Sequence, residues 1–148
     1  MEKYTILQEK ILNGEFKEAK KIIKNISEKE FEQFMMSQPY DTEREISFYF
    51  FLIELLGEKE EAKLHNLASA IMGFGLNWFP GAYNVSMRHL QKAIQLNPEN
   101  IDYKQGMLLY HDIPDHLLSK EDAIKYAKQV LEVNPSVKVA QDIINRYE

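Results

Sequence analysis

The chain has 148 residues, enough for one domain with a hydrophobic core, since 45% of them are hydrophobic. Its formal net charge of −5 argues against nucleic acid and anionic membranes as partners, because both are bound mainly through Lys and Arg. The absence of cysteine excludes disulfides, thiolate catalysis and cysteine-ligated metals.

Helical spacing of apolar residues recurs along the whole chain, and no stretch alternates apolar and polar residues as a half-buried strand does. We therefore predict an all-α fold with about nine helices in a single domain, 1–148. In chain order, the predicted helices are 2–12, 16–26, 27–35, 43–56, 58–76, 82–96, 101–111, 119–133 and 135–147.

Several predicted boundaries rest on helix-capping signals. Ser27 and Thr42 are each followed three residues later by Glu, which is the capping-box pattern at a helix start. Ser119 is a further N-cap, and Gly57 has the residue type that often follows the last helical residue. Asn134-Pro135 predicts an N-cap followed by a proline in the first helical position.

Residues 64–87 contain no Asp, Glu, Lys or Arg, although 28% of the chain is charged. The stretch is long enough to span a membrane, but its His, Asn, Pro and Gly residues are costly there, so we expect no span. Burial in a helix stack explains most of it, and we expect Leu67, Ala70, Ile71 and Phe74 to be buried. Trp78 lies in a turn, and the sequence leaves open whether it is a binding hot spot or a lid on the core.

Two segments repeat the same pattern, because the residues before Pro98 match those before Pro135, 37 positions later. Periods of this size are typical of stacked helix pairs. The chain resembles the tetratricopeptide repeat (TPR) family in three partial copies. The matching residues are Gly14, Phe16, Ala19 and Ile23, then Gly81, Tyr83, Ser86, Leu90, Ala93 and Pro98, then Ala123, Ala127, Val130 and Pro135.

This resemblance implies stacked antiparallel helix pairs in a TPR-like α–α superhelix, and a partner that is a protein or peptide. Two departures predict a compact and irregular variant. Residues 27–63 fit no copy, and the turn of the third copy is three residues longer than the others.

That longer turn contains the only cluster of metal-ligand residue types, namely His111, Asp112, Asp115 and His116. Pro114 interrupts any helix there, so we interpret the cluster as a polar turn between helices. The alternative function is a metal-dependent hydrolase or small-ligand binder that uses this loop with His65 or His89. Neither a nucleophile elbow nor a phosphate loop is present, and we expect no enzyme, metal or cofactor.

The favoured function is a non-enzymatic protein–protein interaction module in the cytoplasm, because the N-terminal segment lacks the apolar core of a signal peptide. An acidic chain favours a basic partner and no nucleic acid or membrane. The layout is also similar to bacterial immunity proteins that neutralise a toxin domain, and the Lys-, Ile- and Asn-rich usage is compatible with a low-GC bacterium. The predicted partner-binding residues are Asn77, Trp78, Phe79, Tyr83, Asn84 and Arg88.

Overall fold

A computed structural model describes residues 2–148, which form helices joined by short turns and contain no strand. A 3-10 turn, Glu43–Glu45, precedes α4, and a π-helical turn, Ile71–Gly75, extends α5. The α-helices are α1 (Glu2–Leu12), α2 (Phe16–Ile23), α3 (Glu28–Met36), α4 (Ile46–Glu58), α5 (Ala62–Ala70), α6 (Ala82–Leu96), α7 (Ile101–Met107), α8 (Leu109–Asp112), α9 (Lys120–Val133) and α10 (Lys138–Tyr147).

The predicted all-α fold class is confirmed, and each predicted helix has a counterpart in the part of the chain that the structure describes. Helices α7 and α8 are separated only by Leu108 and together occupy the place of the seventh predicted helix. No helix within residues 2–148 is both long and apolar enough to cross a bilayer. The assignment of 1–148 to one domain stays a prediction.

The N-caps at Ser27 and Ser119 form as predicted. The Ser27 hydroxyl accepts from the Glu30 backbone N–H at 3.0 Å, and the Glu30 carboxylate accepts from the Ser27 N–H at 3.2 Å. Ser119 accepts from the Asp122 N–H at 3.1 Å. Each serine therefore satisfies one of the N–H groups that a helix start leaves without an intrahelical partner.

The capping box predicted at Thr42 is wrong. The Thr42 hydroxyl donates to the Glu45 side chain and accepts no bond from a backbone N–H. The chain makes a 3-10 turn there, and the α-helix begins only at Ile46. The Thr42 hydroxyl bonds the Glu45 carboxylate instead of a backbone N–H, so the same two residue types can form a hydrogen bond without capping the helix.

Two further boundaries differ from the prediction. Gly57 lies inside α4, because its backbone stays helical and the Lys59 N–H still donates to the Leu55 carbonyl at 3.0 Å. The Asn134 side chain accepts from the Ser136 N–H at 3.1 Å, which closes a turn instead of capping a helix. The last helix therefore begins at Lys138 and not at Pro135.

Helices that follow one another in the chain also pack together, most extensively α5 with α6 and α9 with α10. The buried residues form two clusters. The N-terminal cluster lies between Leu7 and Ala82, and the C-terminal cluster lies between Met87 and Ile143. Helix α6 contributes to both clusters and joins them. Positions that carry the repeat pattern lie in this interior, including Ala19, Ser86, Ala93, Ala123 and Ala127 at 0% exposure.

Candidate partner-binding surface

The charge-free segment is only partly buried. Leu67 and Ile71 are 6% and 0% exposed, as expected, whereas Ala70 is half-buried and Phe74 is 69% exposed. The predicted burial of Phe74 is therefore wrong. In an α-helix, position 74 would share a face with 67 and 71. The π turn takes one more residue, with Leu76 N–H donating to the Ile71 carbonyl at 2.7 Å, and this wider turn rotates Phe74 away from that face.

The glycines on either side of Phe74 explain why this turn can lie against the core. A Cβ on Gly73 would come 2.7 Å from the Ser86 hydroxyl oxygen, and one on Gly75 would come 2.8 Å from the Tyr40 ring. Only glycine fits at these two contacts without a shift of the neighbours. The segment Gly73-Phe74-Gly75 thus places two residues without side chains inward and one aromatic ring outward.

Trp78 is at once exposed and attached to the core. Its side chain is 47% exposed, while its indole N–H donates to the Tyr40 carbonyl oxygen at 2.9 Å. Its ring stacks on Phe79, with 4.4 Å between the ring centroids. The indole is therefore held in one orientation with much of its surface facing solvent.

The other predicted partner-binding residues lie nearby in sequence but make separate contacts. The Asn77 side-chain amide donates to the Tyr83 hydroxyl at 3.3 Å, and Tyr83 packs on the C-terminal cluster. Asn84 and Arg88 are exposed one turn apart on α6, where Arg88 donates to Gln91 at 3.1 Å. This surface stays a prediction.

A groove along α5, which the sequence did not predict, offers a second surface. We call it the α5 groove, and it consists of two adjoining cavities of about 400 and 430 Å³ that share Asn66 and Ala70. Helix α3 and Tyr103 line the first cavity, and α7, α8 and α10 line the second. None of the six predicted residues lines it. An exposed apolar side chain stands in each cavity, Met36 (44% exposed) in the first and Phe74 in the second.

The rim of the α5 groove is acidic. It carries five carboxylates and two lysines, namely Glu28, Glu32, Glu61, Asp102, Asp112, Lys29 and Lys63. Lys63 is engaged with Glu28 at 2.5 Å, whereas two carboxylates, Glu32 and Asp102, and one lysine, Lys29, have no ion-pair partner among residues 2–148. Burial raises the pKa of Tyr103, Lys63 lowers it, and the nearby Glu32 and Asp102 raise it further. The carboxylates of Glu32 and Asp102 thus both raise the pKa of the same lining residue, Tyr103.

The sequence contained a partial signal for this groove. The charge-free run marked α5 as a helix with no charged residue after Lys63, and Gly-Phe-Gly marked a close approach of the backbone. The approach of α3 to Tyr103 of α7 could not be found, because it brings together residues about 70 positions apart, such as Glu32 and Tyr103, which line the same cavity.

His65 and His89 belong to a hydrogen-bonded chain across three helices. The Glu60 carboxylate lies 2.9 Å from His65 Nε2, the two Nδ1 atoms lie 2.9 Å apart, and His89 Nε2 lies 2.8 Å from the Tyr49 hydroxyl. A carboxylate only accepts, so His65 Nε2 donates to it, His89 Nδ1 donates to His65, and Tyr49 donates to His89. With these directions, each donor in the chain has an acceptor.

The ionisation of this chain follows from its surroundings. Burial and the adjacent His65 lower the pKa of His89 to about 4. The hydrogen bond from His65 lowers the pKa of Glu60. At neutral pH, the chain therefore holds a neutral His89 and an ionised Glu60.

His111 and His116 form a separate pair. His111 is 7% exposed and lies in α8, so the interpretation of a polar turn between helices is wrong for it. Its Nδ1 donates to the Leu118 carbonyl at 2.9 Å and its Nε2 accepts from the Tyr147 hydroxyl at 2.5 Å, so the ring ties the last helix to the turn before α9. His116 Nδ1 donates to the His111 carbonyl at 2.9 Å.

A metal site that uses the His111–His116 loop with His65 or His89 needs at least three of the four histidines within reach of one ion. The histidines instead form two pairs, and no group of three His, Asp or Glu side chains in residues 2–148 could hold a metal ion. That requirement is not met by the described residues.

Comparison of the chain with protein-family models, curated proteins and solved structures finds no match.

Proposed function

We propose that this chain is a non-enzymatic protein-binding module of stacked TPR-like helix pairs, and that it holds a segment of a partner protein at the α5 groove. The observation that carries the proposal is Phe74, whose ring is 69% exposed at the end of this groove. A π turn and two glycines hold this ring outward. Aromatic residues, including Phe, are enriched in the cores of protein interfaces, and π turns are frequent at functional sites.

The arrangement of the repeat-like residues supports the same proposal. Small buried residues at Ala93, Ala123 and Ala127 allow the neighbouring helices to approach closely. Helix α6 and helix α9 each end just before an Asn-Pro pair, in keeping with the repeat period. Stacked helix pairs of this kind present grooves that bind peptides and protein segments.

Toxin neutralisation is the specific form of this proposal that the sequence suggests. The net charge of −5 and the acidic rim of the groove support it, because a carboxylate-rich surface is complementary to the basic active site of a nucleic-acid-cleaving toxin. Trp78 is a second candidate contact, since its exposed indole is held in a fixed orientation.

The test is site-specific photo-crosslinking in the cells from which the chain comes. A photoreactive phenylalanine analogue is placed at position 74, where it replaces one aromatic ring by another. The matched control carries the same analogue at Val133, which is 66% exposed and lies outside the groove. We expect one dominant protein to be crosslinked from position 74 and not from position 133.

The same crosslinking from position 78 compares the groove with the surface predicted from sequence. Crosslinking from 74 and 78 to one protein would extend the binding surface over both. If the same proteins were captured in equal amount from 74 and 133, Phe74 would mark no specific site and the proposal would fail.

A further inference from the structure

The α5 groove and its rim together specify the chemistry of an occupant. The helix and its π turn span residues 62–75, which is about 20 Å at the rise of an α-helix. Apolar side chains from Leu64, Leu67 and Ala70 line this length, and Met36 and Phe74 project into the two cavities. An occupant that covers these side chains needs apolar groups along one side for about this distance.

The charges at the rim add a second requirement. Glu32 on α3 lines the first cavity and Asp102 on α7 lines the second, and both carboxylates raise the pKa of Tyr103, which lines the first cavity. A neutral or acidic occupant would leave these carboxylates partly desolvated without a partner, which is unfavourable. Lysine or arginine side chains beside the apolar anchors would pair with them.

We infer that the α5 groove binds a cationic amphipathic segment of a partner protein, with aliphatic anchors on Met36 and Phe74 and basic side chains on Glu32 and Asp102. This inference rests on the proposed function and names the class of ligand. A second copy of this chain is a poorer fit, because its most basic amphipathic helix, α2, already packs its apolar face on the N-terminal cluster.

The test measures binding of a fluorescein-labelled peptide of about 14 residues, with Leu and Lys at helical spacing, to the full chain by fluorescence anisotropy. A second peptide has Glu in place of every Lys. We expect saturable binding of the Leu/Lys peptide that weakens with added salt, and no saturation with the Leu/Glu peptide.

Two variants and their matched controls locate the site. Phe74→Ala is expected to weaken binding about tenfold or more, and Leu96→Ala, at a 45% exposed residue outside the groove, less than twofold. The double variant Glu32→Gln/Asp102→Asn is expected to weaken binding roughly three- to tenfold. Glu99→Gln/Glu132→Gln changes the net charge equally at exposed positions outside the groove, and should leave binding within about twofold.

Three results would overturn the inference: no saturable binding of the Leu/Lys peptide, equal binding of the Leu/Glu peptide, or equal effects of the groove and control variants. A fourth such result would come from light scattering. If the wild-type chain were a dimer and Phe74→Ala a monomer, a second copy of the chain would occupy the groove. The crosslinking experiment separates this inference from the proposed function. A partner captured from position 74 through an acidic segment would keep the function and refute the cationic ligand.

Discussion

The two buried clusters are filled in different ways. The N-terminal cluster contains Phe31, Phe34, Phe48 and Phe51, with the rings of Phe31 and Phe51 set edge to face at 6.1 Å between centroids. In the C-terminal cluster, alanine at several fully buried positions brings the helices close together. These positions are Ala93, Ala123, Ala127 and Ala140. Large rings fill the space between irregularly placed helices, whereas small residues require helices at regular spacing.

The largest effects on the free energy of unfolding are expected when a large ring of the N-terminal cluster is made small, or a small residue of the C-terminal cluster is made large. Phe51→Ala removes a fully buried ring and should lower the free energy of unfolding by about 3–5 kcal/mol, because the rigid surroundings leave a cavity. Ala127→Leu should lower it by about 1–3 kcal/mol, because the added atoms separate helices in close contact. Denaturant-induced unfolding followed by circular dichroism measures both changes.

The neighbouring residue Phe50 supplies the control for the first variant. Its ring is 53% exposed, so Phe50→Ala should change the free energy of unfolding by less than about 1 kcal/mol. Equal costs for Phe50→Ala and Phe51→Ala would contradict the description of an aromatic core.

A smaller, pH-dependent effect is expected at the hydrogen-bonded chain that links α4 to α5 and α6. The pKa of His89 is lowered to about 4 from an ordinary value of 6.5, so between these values the unfolded chain binds a proton that the folded chain does not. The free energy of unfolding should therefore be at its full value above pH 6.5 and decrease toward pH 4. The loss is roughly 1–2 kcal/mol, about half of the full shift, to allow for partial exposure.

His89→Gln tests this assignment, because glutamine does not titrate. The difference in unfolding free energy between the two chains should depend on pH between 5 and 7 in the direction given above. Glu60 loses its contribution only at lower pH, because its pKa is lowered. Parallel pH profiles for wild type and His89→Gln would refute the assignment.

The smallest effects are expected at Ser27 and Thr42, which share the pattern of a hydroxyl residue followed three positions later by Glu. Only Ser27 forms a cap. Ser27→Ala should cost about 1 kcal/mol, because the N–H of Glu30 loses its acceptor. Thr42→Ala should change stability by less than about 0.5 kcal/mol, because its hydroxyl accepts from no backbone N–H. Thermal unfolding of the two variants, with Ser119→Ala as a second true cap, measures the difference.

The accuracy of the sequence predictions varies along the chain and does not simply follow the two clusters, because α1 has its predicted bounds and the last helix begins three residues later than predicted. Both ends of the predicted helix 82–96 agree with α6, and the caps and ends of α9 agree within one residue. In these two helices, the spacing of the alanines and, for α9, the N-cap signal indicate the same boundaries. In residues 27–63, Thr42 and Gly57 mislead, because side-chain pairing and continued helix compete with the local signal.

The candidate site was harder to predict than the fold. Trp78 was identified from its type and its place in a turn, both of which are local properties. The α5 groove depends on residues of α3, α7, α8 and α10 that line the same cavities as α5, and no local pattern contains that information. The exposure of Phe74 depends on a helical turn whose hydrogen bonds cannot be counted from apolar spacing.

The π turn at Ile71–Gly75 is equivalent to one residue inserted into a regular helix. The helix ends at Leu76, directly after this turn, so the turn shifts only the last helical residues, including Phe74, out of phase with the apolar stripe before it. One continuous segment can in this way line the interior first and the surface next. A deletion of one residue within 71–75 would restore a single phase, turn position 74 toward the interior and remove the aromatic anchor without changing the charge of the protein.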